Sequence, residues 1–188
     1  DSTNTELMRR ARQGQTDPVV LIAESQTAGR GRLGRRWTST PGESLTFSLG
    51  LMLQPPDWSG LSLAVGVSLA ESLTQLLQAQ PPQTSHPDSA RPVLGLKWPN
   101  DLWCDTGTGP HKLGGILIET ATVPDASTGL TGRYAVIGVG LNVRTPVGVD
   151  STIPPLGLMA LKAEVRAPAL LRELMPGLLR TVLDFNRE

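Results

Sequence analysis

Between Ser44 and Leu53 the chain alternates without a break. Leu45, Phe47, Leu49, Leu51 and Leu53 fall on one side, against Ser44, Thr46, Ser48 and Gly50 on the other. Successive side chains of extended backbone point to opposite faces, so a period of two marks a strand with one buried face. Such a strand needs sheet neighbours and an apolar layer to cover its leucines. The neighbours are legible. Val19 to Ala23 is a β-branched run that reads as a buried strand, and Val93 to Trp98, Leu113 to Glu119 and Tyr134 to Val143 read as three more. The stretch from Thr122 to Gly132 is turn-rich and suits a long hairpin.

Three helices supply the covering layer. Thr3 to Gln13 can be capped by Ser2 or Thr3 and stopped by Gly14. Leu61 to Gln78 carries Leu69, Leu73, Leu76 and Leu77 at helical spacing. Pro168 to Phe185 places Leu170, Leu171, Leu174, Leu178, Val182 and Phe185 on one face. Pro168 suits a first turn, whereas Pro176 in the interior predicts a kink or a split. Gln78 to Pro92 holds Pro81, Pro82, Pro87 and Pro92 and reads as a loop. Strands and helices mix without strict βαβ alternation, which predicts an α+β (mixed α/β) fold. With 188 residues and 39% hydrophobic content, one core over residues 1–188 is the simplest organisation.

Charge and cysteine usage exclude several classes. Lys plus Arg is 17 and Asp plus Glu is 17, so the total gives no general affinity for nucleic acid or acidic membranes. Cys104 is the single cysteine, which rules out an intramolecular disulfide and a cysteine-based metal site and fits a reducing compartment. No apolar run reaches the roughly 20 residues of a membrane helix, and no signal-peptide pattern opens the chain. His86 and His111 sit in loop-like sequence with no second ligand at motif spacing, so both read as surface residues rather than metal ligands. Cys104 reads as structural or incidental.

Four segments carry candidate chemistry. Gly29 to Trp37 packs three glycines and four arginines into a loop straight after a strand. Glycine permits close backbone approach, and arginine presents planar charged forks to carboxylate or phosphate. The alternatives are a solvated basic turn or an RNA-binding Arg/Gly segment. Lys97-Trp98-Pro99-Asn100-Asp101 lies at a strand end, where ligands often sit, but Asn-Asp after Pro is also ordinary turn chemistry. In Lys112-Leu113-Gly114-Gly115-Ile116-Leu117, paired glycines inside a strand signal either close approach of a ligand or a bulge. Gly138-Val139-Gly140-Leu141-Asn142-Val143 lacks the third glycine and following helix of a dinucleotide fingerprint, and Lys112 lacks the Ser or Thr of a P-loop.

Together and in this order, the four segments resemble the biotin–protein ligases (biotin–[acetyl-CoA-carboxylase] ligases). The match begins at Asp1-Ser2-Thr3-Asn4, continues through Ala23 to Arg32, and covers nearly the whole chain. The resemblance implies a class II aminoacyl-tRNA synthetase-like fold with a central mixed, largely antiparallel sheet flanked by helices. It implies a biotin pocket lined by Ser2, Thr3, Asn4 and Gln26, with Arg30, Gly31, Arg32, Trp37, Lys112, Gly114 and Gly115 around the carboxylate end. Arg32, Arg35, Trp37, Lys97, Asn100, Lys112 and Asn142 are the implied ATP contacts. Arg30, Arg32, Lys112 and Asp101 are the implied catalytic groups, with Asp101 orienting or deprotonating the attacking amine.

The implied reaction is ATP-dependent. Biotin becomes biotinyl-5′-AMP with Mg²⁺ carried by ATP, and the biotinyl group then passes to a lysine of a carboxylase carrier domain, in the cytoplasm. Arg144 to Pro155 is expected to be a loop that orders over the nucleotide. The family's N-terminal DNA-binding and C-terminal SH3-like modules are not expected in this piece, so no nucleic-acid contact is expected. Homodimers occur in the family by different surfaces, and no patch here selects one. Rival readings are a lipoate or octanoate ligase of the same fold and a biotin-sensing paralogue without transfer.

Overall fold

The structure, a computed structural model, describes residues 1–79, 92–124, 131–149, 152–162 and 164–187. His86, most of the Gln78–Pro92 loop and the centre of the Thr122–Gly132 connection lie outside the described residues. The chain runs α1 (Thr3–Arg12), β1 (Val19–Ala23), β2 (Ser44–Leu53), α2 (Leu61–Gln78), β3 (Val93–Lys97), β4 (Asp101–Asp105), β5 (Pro110–Pro124), β6 (Thr131–Asn142) and α3 (Ala167–Phe185). Six strands form one sheet in the order β1-β2-β6-β5-β4-β3. The α+β expectation therefore holds. All five strand pairs are antiparallel, so the sheet is not mixed. The parallel pairing among the described residues is an isolated bridge between Lys112 and Pro155.

The predicted alternation in β2 selects the core face. Leu45, Phe47, Leu49, Leu51 and Leu53 pack with Val139, Leu141 and Ile116 beneath α2 and α3, which contribute Leu69, Leu73, Leu174 and Leu178. Burying each such side chain is worth about 1.5–3 kcal/mol. A smaller cluster lies on the other face, where Leu7, Met8 and Ala11 of α1 cover Val136 and Tyr134. β2 is buried on both faces, not one: Ser48 meets Thr3 and Asn4 of α1, Ser44 bonds to Thr40, and Thr46 is buried as well. Conversely, β1 is not a buried strand. It is the sheet edge, and Ile22 is exposed. Its apolar composition cannot distinguish an edge from a centre, because that depends on which strands pair.

Two other expectations change. Pro176 does not split α3, which is continuous from Ala167 to Phe185. Pro176 and Arg172, whose carbonyl loses its usual partner, both lie on the exposed side, where the freed oxygen is open to solvent. Asp101, read as strand end or turn, opens a strand that the sequence analysis did not assign: Asp101 to Asp105 forms β4 and pairs with both β3 and β5. Leu102 and Cys104 point into the core, while Asp101, Trp103 and Asp105 lie on the other side and are only partly buried. This alternation was present in the sequence but is only five residues long.

A bulge shapes β5. Leu102 pairs with Gly114 while Trp103 pairs with Lys112, so Leu113 is one residue more than β4 matches. Strict alternation would place Lys112 on the same face as Gly114 and Ile116. The extra residue instead sends Leu113, fully buried, into the core and Lys112 to the opposite face.

Gly114 packs against β6, and a Cβ there would collide with the Gly140 carbonyl oxygen and the Leu141 side chain. Gly114→Ala is expected to cost about 1–3 kcal/mol, read as a lower melting temperature. Burial, with Asp105 as a secondary cause, pushes the Cys104 thiol up to about 11. The native chain is therefore expected to resist thiol reagents at pH 8 until it unfolds.

Candidate active site

The sheet face opposite α2 and α3 is covered by α1 at one end and open at the other. There Thr46, Gly140, Gly115 and Asp101 form one row across β2, β6, β5 and β4. Ser48, Gly138 and Leu117 form the next row. With glycines in the middle of both rows, the sheet backbone itself becomes the floor of a cavity of about 910 Å³.

One end of this cavity is a neutral polar corner. Ser2 caps α1 by accepting a hydrogen bond from Thr5 N at 3.1 Å. Gln26 Oε1 accepts from Thr3 N at 2.8 Å and from Thr3 Oγ1 at 3.2 Å. Ser48 Oγ bridges Thr3 Oγ1 at 2.7 Å and Asn4 Oδ1 at 2.6 Å. Asn4 Nδ2 donates to the Leu117 carbonyl at 3.1 Å and to Glu119 Oε2 at 3.0 Å. The other Glu119 oxygen meets Arg30 at 3.1 Å. Thus Ser2, Thr3, Asn4 and Gln26 are brought together as expected. Ser48 and Glu119 were not anticipated. Their signal was present: Ser48 is a hydroxyl on the polar side of a strongly alternating strand, and Glu119 is an acid within a strand.

The Gly/Arg loop is a small hairpin rather than a loose turn. Trp37 N donates to the Gly29 carbonyl at 3.0 Å and Gly31 N to the Arg35 carbonyl at 2.7 Å, with a bridge between Arg30 and Arg36. A single turn over Arg32–Gly34 closes it. Leu33 adopts φ 55°, a left-handed conformation that costs a non-glycine residue roughly 1–2 kcal/mol, and its side chain is 90% exposed. The hairpin stands between the main cavity and a second one of about 770 Å³ lined largely by its other side. Arg32, Arg35 and Arg36 are exposed and form no ion pair among the described residues. Trp37 folds back over Gly140, whose missing side chain makes the space.

The opposite end is cationic. Lys112 Nζ, delivered by the bulge, lies 2.7 Å from Asp101 Oδ1. Asn142 Nδ2 donates to the Lys112 carbonyl at 3.2 Å, and Asn100 Nδ2 to the Ile116 carbonyl at 2.9 Å. Both asparagines line the cavity, yet each uses its amide to brace β5. Lys97 and Arg144 add exposed charges to the wall. Val147, from the segment after β6, stands at the rim, 96% exposed.

Gly115 faces the cavity, while Gly114 does not; its absent side chain makes room for β6. The paired glycines thus serve both readings, a bulge and a floor. His111 is half-buried rather than a surface residue, and its Nδ1 donates to the Gly109 carbonyl at 2.9 Å. Arg30, Arg32, Arg35, Arg36, Lys97, Lys112 and Arg144 line the cavity against Glu43 and Asp101, a surplus of fixed positive charge. A neutral hydrogen-bonding corner, a bare floor and a cationic end suit an elongated acid whose carboxylate meets phosphates.

Proteins of known activity resemble this chain in sequence and fold. A biotin–[acetyl-CoA-carboxylase] ligase of Mycobacterium tuberculosis is 39% identical over 181 residues, which is 92% of this chain and 59% of that protein. The bifunctional ligase/repressor BirA of Escherichia coli is 39% identical over 147 residues, 76% of this chain and 38% of its own length. The chain therefore spans less than two thirds of either relative. A biotin protein ligase of Leishmania major, solved with biotin, superposes with a TM-score of 0.68 at 25% identity over 97% of this chain and 69% of that one. An Aquifex aeolicus biotin protein ligase, solved with biotin and ATP, has the same fold, with a TM-score of 0.67 at 24% identity, covering all of this chain and 69% of that one. The sequence profile of the biotin/lipoate A/B protein ligase family matches residues 1–142, and the chain belongs to that family.

Proposed function

We propose that the chain activates biotin with ATP as biotinyl-5′-AMP and then transfers the biotinyl group to a lysine of a carrier domain. The observation that carries this reading is the polarity of the cavity. Thr3, Asn4, Gln26 and Ser48 make a neutral donor and acceptor set at one end, and Lys112 and the loop arginines supply charge at the other. A cyclic urea needs the first and a carboxylate beside a phosphate needs the second. The dithiolane ring of lipoate offers no amide or urea groups to such a corner, which favours biotin. The relatives named above act on or bind biotin, in agreement.

A carboxylate is ionised at neutral pH, so adenylation requires alignment and charge neutralisation rather than a strong base. Lys112, held by Asp101 and Asn142, is placed to steady the carboxylate, and Arg32 and Arg35 on the hairpin to hold the nucleotide phosphates. Arg30, engaged by Glu119, ties the hairpin to the polar corner. The cavity walls suit phosphate better than a bare cation, since no three His, Cys, Asp or Glu side chains gather among the described residues. Mg²⁺ would arrive with the ATP phosphates, and no residue here is assigned to it. In the transfer step the amine must be neutral, and Asp101 is the group we assign to orient or deprotonate it. The segment after β6 orders over the nucleotide in this scheme. We assign the reaction to the cytoplasm, as the family resemblance implies.

Incubation with biotin, ATP and Mg²⁺ is expected to release pyrophosphate and leave bound biotinyl-5′-AMP. Turnover with lipoate in place of biotin would overturn the substrate assignment, and biotin binding without adenylate would make the chain a sensor. Arg32→Ala is expected to lower adenylate formation by about 10²–10³-fold, measured by pyrophosphate release, with the melting temperature unchanged. A Cβ at Gly115 finds only ordinary contact, with Asp101 Oδ1 at 3.5 Å. Gly115→Ala is therefore expected to keep the melting temperature while weakening biotin binding by tenfold or more, the opposite of Gly114→Ala.

A further inference from the structure

A tryptophan stands in water at the mouth of the cavity. Trp98 lines the cavity wall and is 81% exposed, yet the turn that carries it is otherwise tied down. β3 ends at Lys97 and β4 begins at Asp101, and these two residues pair across the turn. Pro99 restricts its own backbone, and its carbonyl accepts a hydrogen bond from Ser62 Oγ of α2 at 3.0 Å. The Asn100 carbonyl accepts from Ile116 N at 2.9 Å, and Asn100 Nδ2 donates to the Ile116 carbonyl at 2.9 Å. The sheet and α2 thus mount Trp98 rigidly while leaving its indole in solvent. Single exposed apolar residues are ordinary, so exposure alone decides nothing. Position and charge give this one a direction. In the transfer step a lysine amine has to reach Asp101, whose side chain is only 22% exposed. Trp98 lies three residues before Asp101 in the same turn. A lysine stem is four carbons long, so an amine at Asp101 brings the backbone that bears it close to Trp98.

The mouth also repels a bare amine. Lys97 is exposed and forms no ion pair among the described residues, and Arg32, Arg35, Arg36 and Arg144 stand exposed around the same cavity. A protonated lysine alone is pushed away by that field, whereas a lysine set among acidic side chains is drawn in. We propose that Trp98 and Lys97 are the docking point for the acceptor protein, a carrier domain whose target lysine projects from a surface with an apolar side chain for the indole and acidic groups for Lys97. The proposal rests on the ligase reading above and names the surface that holds its transfer partner. Trp98 supplies affinity, because a rigidly mounted indole loses little freedom when it is covered. Lys97 supplies attraction and orientation.

The test compares two acceptors in the full chain at saturating biotin and ATP. One is the isolated carrier domain of an acetyl-CoA carboxylase; the other is hydroxylamine, which needs no docking. Trp98→Ala is expected to raise the KM for the carrier domain about tenfold or more. Pyrophosphate release, transfer to hydroxylamine and the melting temperature are expected to stay as in the unaltered chain. Trp98→Phe, which keeps an aromatic face, is expected to recover most of the lost affinity. In the unaltered chain the KM for the carrier domain is expected to rise with added salt, as opposite charges require. A carrier KM within twofold of the unaltered chain in Trp98→Ala overturns the proposal, and a carrier KM indifferent to salt overturns the part given to Lys97. An equal loss of pyrophosphate release in Trp98→Ala would make the indole a nucleotide contact, and a loss of self-association with the carrier KM unchanged would make it a contact between copies; either result overturns the docking role. So does a chain that passes biotin to hydroxylamine but not to the carrier domain. A chain that forms no biotinyl-5′-AMP at all is a different result and removes the ligase reading itself.

Discussion

Gly140 and Gly115 face each other across β6 and β5, and the absence of two side chains there is the constraint on which the site depends. A Cβ on Gly140 would collide with the Trp37 ring, so the hairpin could not fold back over the sheet. At Gly115 the open floor lets an extended ligand lie between the polar corner and Lys112. A sheet normally spends both faces on packing; this one spends only part of its second face, under α1, and leaves the rest as bare backbone. Backbone pairing keeps that floor rigid without any side chain to fill it.

Two local devices then set the ends of the cavity. The extra residue at Leu113 rotates Lys112 out of the core, and Asp101 at 2.7 Å and Asn142 hold it there. At the other end, Ser48, Thr3, Asn4 and Gln26 satisfy one another, so their oxygens and nitrogens are fixed before a ligand arrives. The Asn4–Glu119–Arg30 chain carries that order outward to the hairpin. A loop built of glycine and arginine would otherwise be among the least ordered parts of the molecule. Its backbone bonds from Gly29 to Trp37, and the strained Leu33 at its tip, show that its geometry is imposed rather than tolerated.

Much of this was legible in advance. The bounds of β2 and α2 follow from periodicity alone, because apolar residues at a period of two or of 3.6 leave little choice of backbone. The site residues named from the sequence line the cavity, Gly114 excepted, because the Gly/Arg string and its companions are specific in combination. Less visible were β4, five residues long beside a strong turn signal, and the edge position of β1, which depends on pairing. Pro176 misled because its effect depends on which side of the helix it faces. Glycine identity did not distinguish Gly114, packed under β6, from Gly115, open to the cavity.

The sequence by itself determined the three helices and every strand but β4, that the chain mixes them, and which chemistry its arginines, lysines and glycines can serve. These are local properties: side-chain period, backbone freedom and charge are read one segment at a time. Only the tertiary structure decided the facing of each side chain across segments. It set Lys112 against Asp101 and joined Glu119 to Arg30. The reason is physical. Register and bulges shift a strand's faces by one residue at a time, and a one-residue shift exchanges the core for the site.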